Sequence, residues 1–76
     1  MNELDLHGYS HSEIEIEVEN FIILNSTYLP VRIITGNSDK MKKLVLEVLK
    51  KHKFDYYIPP HNQGEILVTH DREGTL

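Results

Sequence analysis

Asp5 and His7 stand two residues apart in the segment Leu4-Asp5-Leu6-His7-Gly8, a pairing suited to acid–base chemistry. Alternate residues of a strand point to the same face, so both side chains can reach one phosphodiester or one divalent ion. Histidine has the ordinary side-chain pKa nearest neutrality, which suits it to carry a proton to or from an attacking water or a leaving oxygen. A neighbouring aspartate can orient the ring or bind a hard cation such as Mg²⁺ or Mn²⁺. The same residues also have a purely structural use. Asp5 can accept from backbone amides at the following helix, and His7 can simply end the strand.

A second capable segment, Thr35-Gly36-Asn37-Ser38, follows about thirty residues later. Its backbone N–H groups and the positive end of a following helix suit a phosphate, and Gly36 permits close backbone approach. Equally, it is an ordinary strand-to-helix turn capped by Ser38 or Asn37. Lys40, Lys42 and Lys43 come next, as phosphate contacts or as the solvated face of a helix, and Arg32 just upstream completes an electrostatic clamp. His61, in Pro59-Pro60-His61-Asn62-Gln63-Gly64, is a further candidate, because loops on a rigid scaffold often carry function. His11 falls near the start of the first helix, and His52 and His70 read as surface residues. None has metal-ligand spacing with another histidine. Tyr56 and Tyr57 point to opposite faces of one strand, so one is core and the other is free to stack on a base.

These residues need a scaffold. A first strand is expected over residues 3–7, with Leu4 and Leu6 on one face and Glu3, Asp5 and His7 on the other. Residues 13–19 alternate glutamate with an aliphatic residue and so fit a half-buried strand. Against that, Ser12 with Glu15 fits a capping box, glutamates suit the start of a helix, and Ile14, Val18, Phe21 and Ile22 make a helical stripe. A helix over about residues 12–25 is therefore expected. Pro30 cannot continue it, and the β-branched run from Val31 to Thr35 reads as the second strand. Met41, Leu44, Val45, Val48 and Leu49 set a second amphipathic helix, with Lys50, Lys51 and Lys53 compensating its C-terminal dipole. Residues 54–58 and 65–70 read as two further strands, and residues 71–76 as a frayed end.

The order βαβαββ implies parallel pairing of the first two strands and a mixed four-stranded sheet. Two helices cannot cover both faces of such a sheet. The expected architecture is a two-layer α/β sandwich, a single domain over residues 1–76, whose open sheet face leaves Asp5, His7 and Arg32 accessible.

With 76 residues and no cysteine, the chain has room for one core and no disulfide or thiolate zinc site, and it fits a reducing cytosol. No apolar run is long enough to span a membrane, and the N-terminus lacks a signal-peptide pattern, so no membrane partner is expected. The net charge is −4, but the charges are segregated. Residues 1–30 carry six carboxylates and no Lys or Arg, whereas residues 31–54 carry seven basic residues against Asp39 and Glu47. This basic middle third can steer a polyanion even on an acidic protein, because distant exposed charges are screened.

Taken together, the residues resemble the Smr (small MutS-related) domain family. Its signatures are an L-D-x-H-G segment on the first strand and a T-G-x-G or H-G-x-G segment after the second. Leu4-Asp5-Leu6-His7-Gly8 matches in full, while Thr35-Gly36-Asn37-Ser38 carries serine in place of the last glycine. The resemblance covers about residues 3–70. It implies a fold similar to the C-terminal domain of bacterial translation initiation factor 3, and nicking of DNA or cleavage of RNA, as in several family members. Other members bind nucleic acid without cutting it.

The expected function is thus a nucleic-acid-acting domain, in its sharper form an endonuclease with Asp5 and His7 as the catalytic pair. Thr35, Gly36, Asn37 and Ser38 would cradle a phosphate, with Arg32, Lys40, Lys42, Lys43 and His61 adding affinity. Asp5 would ligate any Mg²⁺ or Mn²⁺. A non-catalytic nucleic-acid-binding module, favoured by Ser38 and the net acidity, is the alternative. A third reading is a protein-interaction domain whose acidic first helix docks on a basic partner.

Overall fold

The computed structural model describes residues 1–74. The chain runs β1 (Glu3–Asp5), α1 (His11–Leu24), β2 (Val31–Ile34), α2 (Asp39–Lys51), β3 (Phe54–Tyr57) and β4 (Glu65–Asp71). The strands form one four-stranded sheet in the order β1-β2-β4-β3. β1 and β2 are parallel, and β4 is antiparallel to both β2 and β3. The mixed sheet and two-layer α/β architecture are those the sequence implies.

Strand alternation builds the interface between the layers. Val31 and Ile33 of β2 stand opposite Val68 and Ile66 of β4, and all four are fully buried. Ile14, Val18 and Ile22 of α1 and Val45, Val48 and Leu49 of α2 complete the core with them. Each such side chain contributes roughly 1.5–3 kcal/mol on burial, so this stripe outweighs the local preference of any single residue. The strand-like alternation in residues 13–19 loses to that stripe. Ile14 and Val18 are buried one helical turn apart, while Ile16 between them is 61% exposed.

Three local expectations change. The helix cap is Ser10 with Glu13 rather than Ser12 with Glu15: Oε1 of Glu13 accepts from the backbone N–H of Ser10 at 2.9 Å and from its hydroxyl at 2.7 Å. Ser10 has extended backbone angles suited to a cap, whereas Ser12 is already helical. The chain is also not frayed from residue 71. Asp71 pairs with Phe54, the Arg72 amide donates to the Lys53 carbonyl at 3.1 Å, and the Arg72 guanidinium meets Asp55 at 2.9 Å. The remainder of that expectation, at residues 75–76, lies outside the described residues. Finally, His52 is not simply a surface residue. It is half-buried, and its Nε2 lies 2.6 Å from Oε2 of Glu19.

Lys51 Nζ reaches the same Glu19 carboxylate at 3.4 Å and Glu15 at 4.0 Å, so it ties α2 to α1 as well as facing its own helix dipole. The acidic ridge of α1 is therefore partly neutralised from within the chain. The hydrogen bond with His52 is the main reason the Glu19 carboxyl is held below its ordinary value, with Lys51 adding to it.

Candidate active site

The site is built where the C-terminal ends of the two parallel strands lie side by side. Leu6, fully buried, pins the end of the first strand, and its amide donates to the Ile34 carbonyl at 3.0 Å. The chain then turns at once: the Tyr9 amide donates to the Leu6 carbonyl at 3.2 Å, with Gly8 at φ +89°. Glycine adopts that angle without steric cost. The strand thus stops at Asp5, and His7 occupies a turn corner rather than the expected strand position.

That corner folds the histidine back onto the aspartate. Oδ1 of Asp5 lies 2.7 Å from Nδ1 of His7 and also accepts the His7 backbone N–H at 3.0 Å. The structural and the chemical uses of Asp5 are thus both realised in one oxygen. The backbone N–H is the main reason the Asp5 carboxyl is held below its ordinary value. An ionised Asp5 can only accept, so a neutral His7 carries its proton on Nδ1 and presents the lone pair of Nε2. Both side chains are open to solvent.

Nε2 points at the second motif. A Cβ built on Gly36 would stand 3.2 Å from His7 Nε2, and Gly36 has φ +66°. The imidazole thus packs against the bare Cα, where any side chain would crowd Nε2. Thr35 is buried at 3% exposure, and its hydroxyl donates to the carbonyls of Gly36 at 3.0 Å and Gly64 at 3.3 Å. The Thr35 and Gly36 amides also donate to the Gly64 carbonyl, at 2.9 and 3.0 Å. Those two amides are therefore already bonded, which removes them from the phosphate cradle expected of this segment and leaves Asn37, Ser38 and the first turn of α2. Ser38 is the helix cap: its Oγ accepts from the Met41 amide at 3.1 Å, and its φ of −80° requires no glycine.

The basic residues are less concentrated than their spacing suggests. Arg32 is flanked on the sheet by Glu3, 3.2 Å from its Nη1, and by Glu65, 3.2 Å from its Nε. The Nε–H is enclosed and lies off the hydrogen-bonding direction to Glu65, so that pairing is electrostatic. Lys40 and Lys43 are exposed and share a shallow cleft of about 340 Å³ with Asp39, Leu44 and Glu47, while Lys42 is half-buried. Lys51 is engaged with α1. His61 is exposed, three residues before Gly64, in the loop that docks against the second motif.

Cleft size does not mark this site. A cleft of the same volume, lined by Leu29, Thr69, His70 and Asp71 among others, lies at the opposite end of β4 and contains neither motif. Among the described residues no group of three His, Asp or Glu side chains is placed to hold a metal ion. Oδ1 of Asp5 is occupied by His7, which leaves one carboxylate oxygen as a protein donor. Gly64 is the site residue that sequence reading missed. Its signal was a glycine opening a strand pattern, which marks close backbone approach.

Fold and site together define a small α/β domain with an aspartate–histidine dyad at the parallel-strand edge. The model of the Smr domain family matches residues 4–69, spanning both motifs, and the chain belongs to that family. The family is associated with nucleic-acid binding and nuclease activity. Comparison with curated proteins and with solved structures gives no significant match. Among the described residues no helix is long and apolar enough to cross a membrane.

Proposed function

We propose that this domain cleaves phosphodiester bonds in structured or single-stranded DNA or in RNA, with His7 as general acid–base and Asp5 as its orienting partner. The observation that supports it best is the placement of the imidazole: Nδ1 is held by Asp5, and Nε2 stands beside Gly36 at the edge of the second motif. A scissile phosphate bound over Gly36, at the amides of Asn37 and Ser38 and the positive end of α2, would lie beside Nε2. His7 Nε2 takes the proton from an attacking hydroxyl, of water or of a ribose. The new P–O bond forms, the leaving P–O bond breaks, and the same proton passes to the departing oxygen. Asp5 fixes the tautomer and stabilises the imidazolium that forms between the two transfers. Lys40, Lys42 and Lys43 draw in the backbone as point charges, without reading sequence.

The test is a nicking assay on supercoiled plasmid and on structured RNA, with and without Mg²⁺ or Mn²⁺. Cleavage by wild type that His7→Ala abolishes is expected. Binding without cleavage of either polymer would replace this reading with the non-catalytic binding module.

A further inference from the structure

The loop of residues 59–64 reaches the reaction centre through backbone alone. One carbonyl, that of Gly64, accepts from the Thr35 amide at 2.9 Å, the Gly36 amide at 3.0 Å and the Thr35 hydroxyl at 3.3 Å. The hydroxyl also reaches the Gly36 carbonyl at 3.0 Å, so Gly36 is held at its amide and at its carbonyl. Gly64 is itself set by its amide donating to Oδ1 of Asn62 at 3.2 Å, and the Asn62 amide donates to the Pro59 carbonyl at 3.1 Å. This chain of bonds ends at the bare Cα that stands against His7 Nε2.

We infer that Thr35 and Gly64 are positioning residues that fix where Gly36 stands against His7 Nε2, and so set the geometry of proton transfer. The inference rests on the reading of His7 as the acid–base group. Thr35 is buried and its hydroxyl is spent on two carbonyls, so it acts from beneath the site rather than by touching a ligand. A misplacement of about 1 Å at a reacting group costs on the order of 100-fold in rate, so a small shift of this peptide is enough to be read in turnover. Space for such a shift is limited: a Cβ on Gly64 would lie 3.4 Å from the Gly36 Cα and 3.5 Å from its carbonyl carbon. A methyl there makes ordinary contact with the backbone that carries the site, so only a branched side chain reaching past Cβ would press on it.

Three variants test this. Thr35→Val removes the hydroxyl at constant shape, Thr35→Ser keeps it, and Gly64→Val wedges the same contact without removing a bond. Each is examined by two measurements, the cleavage kinetics and the imidazole nitrogen NMR signals of His7. Thr35→Val and Gly64→Val are expected to lower kcat by about tenfold to a hundredfold with KM little changed, and to shift the His7 nitrogen signals. Thr35→Ser should restore both. Unchanged His7 signals in a folded Thr35→Val, or a Thr35→Ser as impaired as Thr35→Val, would overturn the inference. If Thr35→Val does not fold, Gly64→Val decides. If wild type cuts nothing, the proposed function fails, yet the His7 signals still report whether the two residues position the ring.

Discussion

The carboxylate of Glu19 in α1 meets Nε2 of His52, just past the end of α2, at 2.6 Å. The bond holds the Glu19 carboxyl below its ordinary value of 4.5. A carboxylate whose pKa is depressed by folding binds fewer protons in the native than in the unfolded state, so its contribution is present above the unfolded value. It is lost as pH falls through the lower, folded value. Thermal melts from about pH 6 down to about pH 3 should therefore show stability dropping below pH 4.5. Glu19→Gln should flatten that part of the profile. An unchanged slope would show that the contact contributes nothing to folding.

Replacing His7 by Ala removes the proposed acid–base group and spares Leu4 and Leu6, which face the core. Cleavage should fall about 10²-fold or more, as for loss of a general acid or base, while affinity for uncut nucleic acid stays level. Single-turnover cleavage beside filter binding makes the distinction.

Asp5 stays ionised below the ordinary carboxylate value of 3.8, because the His7 backbone amide and imidazole both donate to it. Any ionisation in the rate profile above about pH 5 therefore belongs to another group. Asp5→Asn should leave a titration in that range in place and lower the rate across it. A limb that vanishes in Asp5→Asn would contradict this assignment.

Reversing the charge of Lys40, Lys42 and Lys43 should weaken nucleic-acid binding and reduce its salt dependence by about 2 in the log–log slope. Lys51→Glu should instead lower stability, because Lys51 sits against Glu15 and Glu19 rather than on an open surface. Salt titrations of the triple variant, with melting curves of Lys51→Glu, separate the two roles.

Ser38→Gly restores the glycine typical of the family's second motif. Because Ser38 caps α2 with φ −80°, the change removes one side-chain bond and relieves no strain. Stability should fall by only a few tenths of a kcal/mol, with cleavage unchanged. A large gain in cleavage would mean that the bare backbone, and not the angle, is what the site needs.

Much of this was legible in the residues because periodicity carried it. The α2 stripe and the β-branched run at residues 31–35 are set by burial, which acts on every residue of an element at once. The Asp5–His7 contact was legible as a proximity but not as a geometry. Its turn depends on φ at Gly8, which spacing does not encode. Interactions made through single atoms between distant segments left no periodic trace. Glu19 with His52, and the Gly64 carbonyl with Thr35 and Gly36, are of that kind. Arg32 is the converse case: its charge was plain in the sequence, and the two carboxylates that neutralise it come from strands on either side.

β4, the last strand of the chain, lies between β2 and β3. During synthesis the ribosome therefore delivers the central strand after both of its neighbours, which must wait unpaired with each other. The sheet cannot close until residues 65–71 have emerged, and the Gly64 carbonyl that holds the site arrives just ahead of them. A nascent chain halted before that point has the residues for the β1–β2 pair and the Asp5–His7 contact, but lacks the Gly64 carbonyl that holds Thr35 and Gly36. The fixed position of Gly36 is thus tied to synthesis of the chain through that strand.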